Sequence, residues 1–208
     1  MSQTPPTVHV VDDDPAIRKS LFRLLSTAGY KCVSHESAEA FFKEYVPDGP
    51  GCVLIDLDLP GIDGFGVQES LSSQGNGPPA IFLTGTGDIP ASVRAIRAGA
   101  VDFLTKPVDA TTLLSAVEEA LAVDDATRAA LSTSEHLRAR LETLTPRERQ
   151  VLDLVVRGYQ NKQIAAELGT AVKTIKVHRA RMMRKMQLPS LAELVRAMVE
   201  LNANKRGR

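Results

Sequence analysis

The sequence predicts an α/β domain with a parallel sheet, followed by a smaller all-α domain. Short apolar runs alternate with helical patterns up to residue 123, and the pattern from Thr145 onward is wholly helical. The charge is also divided. Residues 1–143 carry 11 Lys and Arg against 20 Asp and Glu (−9), and residues 144–208 carry 14 against 5 (+9). This division favours an acidic site in the first domain and a nucleic-acid surface in the second, with a chance asymmetry of solvated faces as the alternative.

Five short segments rich in Val, Ile, Leu and Phe are predicted strands: Thr7–Asp12, Lys31–Ser34, Cys52–Asp56, Ala80–Thr84 and Ala100–Leu104. A helical pattern follows each of them, in order Ala16–Ala28, Ala38–Tyr45, Gly64–Ser72, Pro90–Ala98 and Ala110–Val123. Repeated strand–helix pairs predict a parallel sheet with helices on both faces. Right-handed crossovers then place the carboxyl ends of all strands at one edge. We expect this domain to occupy residues 1–123.

The segment 124–143 has helix-forming residues but only a weak leucine stripe (Leu137, Leu141 and Leu144), and is predicted to be a helical linker. The second domain, residues 144–208, opens with Thr145-Pro146-Arg147-Glu148. A capping Thr, a Pro at the first position and a Glu at the third are strong signals for a helix start. Four helices are predicted: Pro146–Arg157, Lys162–Leu168, Val172–Met186 and Leu191–Leu201.

Only two cysteines are present, Cys32 and Cys52, both in strand-like segments. They are interpreted as small core residues, because neither a zinc-site spacing nor a disulfide framework is present. No signal peptide opens the sequence, and no apolar run approaches the ~18 residues of a membrane span. We therefore expect a cytoplasmic protein with no membrane contact.

Polar side chains stand at the ends of four of the five predicted strands: Asp12 and Asp13 after the first, Asp56 after the third, Thr84 after the fourth and Lys106 after the fifth. Three crowded carboxylates repel one another unless a cation lies among them, and hard oxygen ligands suit Mg²⁺. A lysine and a hydroxyl opposite them suit an incoming phosphoryl group. The central Asp56 is the predicted nucleophile, forming an aspartyl phosphate.

Other interpretations of these carboxylates stay open. An Asp at a strand end commonly caps the next helix, and Asp14, directly before Pro15, is expected to do so. The Asp-x-Asp of "DLDLP" also fits the opening of haloacid-dehalogenase phosphatases, which would make the domain an enzyme acting on an external substrate. That alternative leaves Asp12 and Asp13 unexplained, and the sequence offers no downstream acidic pair for its metal.

Residues 7–123 resemble the receiver domain of two-component response regulators. The resemblance depends on "VVDDD" at 10–14, "IDLDLPGIDG" at 55–64, "LTGTGD" at 83–88 and "GAVDFLTKP" at 99–107. It implies a CheY-like (βα)5 fold, phosphorylation of Asp56 by a sensor histidine kinase, and Mg²⁺ bound by Asp12, Asp13, Asp56 and the carbonyl of Asp58. It also implies a catalytic role for Lys106, switch residues Thr84 and Phe103, and a cis Lys106–Pro107 bond. Self-phosphorylation from a phosphohistidine donor and autodephosphorylation would be the chain's only enzymatic steps.

The predicted helix Val172–Met186 has two different faces. Its apolar stripe consists of Val172, Ile175, Met182, Met183 and Met186, and the opposite stripe consists of Lys173, Lys176, Val177, Ala180 and Arg184, with Arg181 beside it. A helix that packs on one face and is basic on the other fits the DNA major groove, where Val177 could meet a thymine methyl. His178 and Tyr159 are expected to pack rather than to contact bases. A helical dimerisation bundle with a solvated basic face is the alternative.

Residues 142–203 resemble the LuxR-type helix-turn-helix, through "LTPRERQVLDLVVRGYQNKQIAAELG" and "TIKVHRARMMRKM". The resemblance implies four helices, with 172–186 as the recognition helix and the last helix as a dimer contact. The implied DNA-binding residues are Lys173, Thr174, Lys176, Val177, Ala180, Arg181 and Arg184. Thr170-Ala171 departs from the usual polar start of the recognition helix.

The two domains together resemble the FixJ/NarL group of response regulators. The implied function is a transcription regulator that a sensor histidine kinase phosphorylates, and that then forms a homodimer on promoter DNA and acts on RNA polymerase. A receiver that works without phosphorylation, as an adaptor or a constitutive DNA binder, is the remaining alternative.

Overall fold

The structure, a computed structural model, describes residues 5–46, 49–73, 77–85 and 89–206. The chain divides into two compact units, Met1–Arg128 and Ala129–Arg208. The elements before the longest helix are β1 (Thr7–Val11), α1 (Pro15–Thr27), β2 (Lys31–His35), α2 (Ala38–Glu44), β3 (Gly51–Asp56), α3 (Gly64–Ser73), β4 (Ala80–Thr84), α4 (Ile89–Arg97) and β5 (Asp102–Thr105). Then follow α5 (Ala110–Glu142), α6 (Pro146–Val156), α7 (Asn161–Glu167), α8 (Val172–Met186) and α9 (Leu191–Arg206).

The first unit is built on one parallel sheet with strand order β2-β1-β3-β4-β5. The central strand β3 is buried along its whole length, as its continuous apolar run predicts. The predicted (βα)5 fold is confirmed. The last strand begins two residues later than expected, because Gly99 (φ 90°) ends α4 and the Ala100 amide donates to the Ala95 carbonyl at 3.1 Å.

Two apolar clusters cover the two faces of this sheet. Alternate residues along each strand enter different clusters, so that Leu54 packs with α1 and α5 while Ile55 packs with α2 and α3. Cys52 is buried and Cys32 half-buried, and burial raises the pKa of the two thiols to about 12 and about 11. Both cysteines are therefore packing residues, as the sequence predicts.

Two histidines on neighbouring strands, His9 on β1 and His35 on β2, contact each other. His9 Nδ1 is 3.1 Å from His35 Nε2, and the two rings stack with Phe41 and Tyr45 at their edges. Burial, together with the charges of His35 and Lys31, lowers the pKa of His9 from 6.5 to about 4. Burial also lowers the pKa of His35, although the nearby Glu44 carboxylate acts in the opposite direction. Both rings are therefore neutral at pH 7.

Helix α5 continues without a break from Ala110 to Glu142, through most of the segment predicted as a linker. Buried Asp124 accepts hydrogen bonds from the Gly51 amide at 2.9 Å and from Arg128 Nε at 2.8 Å. Arg128 also donates to the Gly49 carbonyl. The middle of α5 is thereby fixed to the start of β3. Where the two domains end remains a prediction.

The second unit has its own apolar cluster, to which all four of its predicted helices and the last turns of α5 contribute. The predicted capping box at the start of α6 is confirmed, since Thr145 and Glu148 exchange side-chain to backbone hydrogen bonds. Glu148 is 3% exposed and also binds Lys185 Nζ at 2.6 Å. Although its burial acts in the opposite direction, these bonds lower the pKa of Glu148 and keep it ionised.

None of the helices in the described ranges is both long enough and apolar enough to cross a membrane.

Candidate functional site

Three carboxylates meet at the carboxyl edge of the sheet. Asp12 follows β1 and Asp56 ends the neighbouring strand β3, so the parallel pairing brings them side by side. Carboxylate oxygens of Asp12, Asp13 and Asp56 all lie within 4.8 Å of one another. Asp12 and Asp56 are buried and Asp13 is exposed, so the cluster opens to solvent on one side.

One ammonium group bridges the two buried carboxylates. Lys106 Nζ lies 2.6 Å from Asp12 Oδ2 and 2.9 Å from Asp56 Oδ2. Burial raises the pKa of Asp12, although the bonds from Lys106 and the Asp14 amide act against it. Burial alone would lower the pKa of Lys106, but the hydrogen bonds that its ammonium donates to both carboxylates outweigh the burial and raise the pKa. The lysine is therefore a permanent cation within this site.

The loop after β1 is held by its own polar groups. Asp14 caps α1 by accepting from the Ala16 and Ile17 amides, as predicted, and its own amide donates to Asp12 Oδ1 at 2.8 Å. Arg18 Nη1 donates to the Asp12 carbonyl at 2.7 Å. Arg18 was not among the predicted site residues. The sequence signal that points to Arg18 is its position one turn into α1, the helix that directly follows the acidic run Asp12–Asp14.

The other predicted residues lie around this cluster. Thr84 is fully buried at the end of β4, and Phe103 is half-buried on β5 opposite Phe82. The Lys106 amide donates to the Thr84 carbonyl at 2.7 Å, which ties the ends of these strands together. The Asp58 side chain is exposed and its amide lies 3.4 Å from Asp56 Oδ1.

The Lys106–Pro107 bond is cis, as expected. Residues 86–88 of the predicted "LTGTGD" motif lie outside the described residues.

This arrangement has the chemistry of a cation and oxyanion site. Three carboxylates offer hard oxygen ligands at mutual distances that one divalent ion can bridge, and they fit Mg²⁺ better than a softer metal. Lys106 offers a cation beside the Asp56 carboxylate, and Thr84 ends the neighbouring strand β4. Such a site can accept a group that carries several negative oxygens.

In the second unit, α8 divides its two faces as its sequence predicts. Ile175, Met182 and Met186 are buried, and Val172 and Met183 pack beside them. The residues of the opposite face are all exposed: Lys173, Thr174, Lys176, Val177, Ala180, Arg181 and Arg184. Helix α8 begins after Ala171, which supplies no side-chain cap, in agreement with the unusual start noted in the sequence.

The cations of α8 fall into two groups. Lys185 and Arg179 bind groups of the same unit, Lys185 at Glu148 and Arg179 at Asn161 Oδ1 (3.1 Å). Lys173, Lys176, Arg181 and Arg184 make no side-chain hydrogen bond or ion pair to any residue that the structure describes. The four cations without such a bond all lie on the exposed face. His178 is half-buried and Tyr159 packs against the core, as expected.

Both units match known protein families. Residues 8–118 match the response regulator receiver domain, and residues 142–198 match the bacterial regulatory proteins of the luxR family. The chain is 44% identical to the transcriptional regulatory protein FixJ of Rhizobium meliloti (strain 1021) over 191 residues, which cover 91% of this chain and 93% of the relative. It is 43% identical to the nodulation protein W of Bradyrhizobium diazoefficiens over 195 residues, which cover 94% and 86%.

A solved structure gives the same result for the fold. The low-resolution structure of the response regulator StyR matches with a TM-score of 0.81 and 43% identity, covering 95% of this chain and 100% of that one. These matches do not favour the phosphatase alternative. A chain with a receiver domain and a LuxR-type domain implies a kinase and DNA as partners, which is consistent with a regulator rather than an enzyme. The chain therefore belongs to the response regulators that join a receiver domain to a LuxR-type DNA-binding domain and regulate transcription under the control of phosphorylation.

Proposed function

We propose that Asp56 is the residue on which this regulator accepts a phosphoryl group from a sensor histidine kinase. The observation that carries the proposal is the shared ammonium of Lys106, bound to both Asp12 and Asp56 beside an exposed third carboxylate. An Asp56 carboxylate oxygen attacks phosphorus, a P–O bond forms as the P–N bond to the donor histidine breaks, and the leaving imidazole recovers its proton. Attack by water on the resulting acyl phosphate returns the carboxylate, as autodephosphorylation.

The carboxylates of Asp12, Asp13 and Asp56, with the carbonyl of Asp58, would hold Mg²⁺. When bound, this ion neutralises charge on the transferring phosphoryl oxygens. The Lys106 ammonium then remains beside Asp56 to bind one of these oxygens. The exposed Asp13 side chain makes no hydrogen bond or ion pair to any described residue, which leaves its carboxylate available to such an ion.

We further propose that Thr84 and Phe103 carry the response to phosphorylation. The Thr84 hydroxyl is the group on β4 that can bind a phosphoryl oxygen on Asp56, because Asp56 pairs in register with Leu83, the residue just before it. Phe103 lies on the next strand in contact with the core around Phe82. A movement of Thr84 toward the phosphoryl group would change the space that the Phe103 ring occupies.

The test of the phosphorylation site uses acetyl phosphate and Mg²⁺ with the full-length chain. The wild-type protein should gain one phosphoryl group, seen by intact mass, and Asp56→Asn should gain none. Asp58→Asn is the matched control and should be phosphorylated normally, because only the carbonyl of that residue is assigned a role. Full labelling of Asp56→Asn, or labelling without Mg²⁺, would contradict the assignment.

We propose the exposed face of α8 as the surface that reads promoter DNA. The support is that four cations of this face are exposed and make no side-chain hydrogen bond or ion pair within the described part of the chain: Lys173, Lys176, Arg181 and Arg184. Thr174, Val177 and Ala180 complete this face. We also propose that phosphorylation promotes a homodimer on DNA and that RNA polymerase is a further partner. The cytoplasmic location remains a prediction.

The test of this surface separates base reading from phosphate binding. Lys173→Ala and Arg184→Ala, at the ends of the face, should weaken binding to all DNA and reduce the salt slope by about 0.9 each. Lys176→Ala and Val177→Ala, in the middle, should cost about 1–3 kcal/mol on the cognate site alone. Equal losses on cognate and random DNA for all four variants would show a merely solvated basic face.

The phosphorylation-independent alternative makes a different prediction for the same protein. A constitutive DNA binder would bind its cognate site equally well as wild type and as Asp56→Asn, with or without acetyl phosphate. The intact carboxylate cluster and its ion pairs favour phosphorylation control.

A further inference from the structure

The carboxyl end of α8 is held by a residue from another helix. Gln187, with φ 53°, ends α8 in the left-handed conformation, and its amide donates to the Met183 carbonyl at 3.1 Å. The last carbonyls of a helix have no partner within the helix. Here Arg140 Nη1, from the last turn of α5, donates to the Met186 carbonyl at 3.1 Å. A guanidinium at this end also interacts favourably with the negative pole of the helix dipole.

A second bond joins the same two places. Lys185 Nζ donates to the Thr143 carbonyl at 2.9 Å, immediately after α5 ends, while it also binds Glu148. Leu137, on the last turns of α5, is buried in the same apolar cluster as Met186. The final turns of α5 and the final turn of α8 are therefore fixed to each other by two hydrogen bonds and by apolar packing.

We propose that Arg140 is a positioning residue for DNA recognition, which fixes the last turn of α8, and with it Arg184, against the end of α5. This inference rests on the proposed role of α8 as the reading helix. Arg140 is half-buried and its bond to Met186 goes to a main-chain atom, so its guanidinium orients the helix rather than extending the DNA-facing stripe.

The consequence differs between specific and non-specific binding. Base contacts require side chains to be held to within about 0.5 Å, whereas phosphate attraction tolerates larger displacements. A looser end of α8 should therefore weaken binding to the preferred sequence much more than binding to random DNA. A purely stabilising residue would change neither affinity at temperatures where the protein stays folded.

The experiment uses the full-length chain and two duplexes of equal length. One is selected from a randomised library by the wild-type protein, and the other is a scrambled version of it. Arg140→Ala should lose about five- to tenfold in affinity for the selected duplex, the worth of one charge-assisted hydrogen bond. Affinity for the scrambled duplex and the salt slope should be unchanged.

Arg138→Ala is the matched control, because it removes the same charge from the same helix at a residue with no side-chain bond within the described part of the chain. It should leave both affinities unchanged. Arg140→Lys keeps one charged donor and should recover most of the discrimination. If the alanine variant unfolds below the assay temperature, Arg140→Met, which keeps an apolar stem and removes the charge and the donors, is compared with Arg138→Met in its place.

Three results would overturn the proposal. Equal losses on both duplexes with a smaller salt slope would make Arg140 a phosphate contact. A lowered melting temperature with unchanged affinities would make it a stabilising residue only, and no change at all would leave it without a role. Lys176→Ala, measured in parallel, tests the reading helix itself. If Lys176→Ala loses discrimination and Arg140→Ala does not, only the positioning role fails, and if Lys176→Ala also keeps discrimination, the role proposed for α8 fails.

Discussion

Replacing Lys106 with methionine should tighten the binding of Mg²⁺ to the receiver domain. The lysine ammonium binds Oδ2 of Asp12 at 2.6 Å and Oδ2 of Asp56 at 2.9 Å, and a divalent cation at this site would bind the same two carboxylates. In the wild-type protein the ion must share both carboxylates with an existing positive charge. Methionine has a similar stem length and removes only the charge and the donors.

The expected change follows from the size of these interactions. Two unit charges about 4 Å apart interact by roughly 4 kcal/mol at an effective dielectric constant near 20. Water that replaces the ammonium, and exposed Asp13 at the open side of the cluster, reduce the net effect. We expect a gain of about 1.5–3 kcal/mol, which is roughly a tenfold to hundredfold lower Kd for Mg²⁺.

Isothermal titration of Mg²⁺ into chelator-treated protein at fixed ionic strength measures this change directly. Lys43→Met, which removes an exposed cation from α2, is the control for net charge and should leave the Kd within about twofold, as expected for a screened surface charge. Asp56→Asn should weaken binding. The reasoning is refuted if Lys106→Met binds Mg²⁺ no more tightly than the wild type while Asp56→Asn still weakens it.

Three further predictions concern the receiver domain. Thr84→Ala should accept phosphate from acetyl phosphate at a normal level yet lose the gain in DNA affinity; a full gain would remove Thr84 from the switch. The pKa of His9 is lowered from 6.5 to about 4, so the domain should be fully stable above pH 6.5 and lose stability as the pH falls toward 4. Thermal melts of wild type and His9→Gln should show a smaller slope in the variant, where only His35, whose pKa is also lowered, still contributes to it. Gly51→Ala should destabilise the domain by about 1–3 kcal/mol in urea, because its Cβ would lie 2.3 Å from the Thr7 carbonyl oxygen; an unchanged midpoint would contradict this.

The carboxylate cluster could be predicted from the sequence because local patterns determine it. Short apolar runs give strands, parallel strands end at one edge, and Asp12, Asp56 and Lys106 each stand at such an end. The two faces of α8 were predictable for a similar reason, since the helical period alone separates Ile175 from Lys176. In both cases the period of the chain and one topological rule are sufficient.

Contacts between distant segments were not predictable in this way. The leucine stripe after residue 124 is weak when it is considered alone, yet Leu137 is buried because the apolar cluster of the second unit supplies the surface that it lacks locally. The bond from Arg140 to Met186 and the His9–His35 pair also join residues whose separation in sequence carries no periodic signal. Such pairs depend on the final packing, and a single sequence does not encode them in any local pattern.

The hydrogen bonds of Asp124 determine where the receiver can be cut from the rest of the chain. The Gly51 amide, the first of β3, donates to the Asp124 carboxylate in the middle of α5. Arg128 donates to the carbonyl of Gly49, just before this strand. A fragment that stops at Val123, where the helical pattern first weakens in the sequence, would leave this buried amide without an acceptor at the foot of the strand that carries Asp56. A fragment that stops after Arg128 keeps both bonds. Isolated receivers prepared for phosphorylation assays should therefore end after Arg128. The five additional residues should stabilise the start of β3 through these hydrogen bonds.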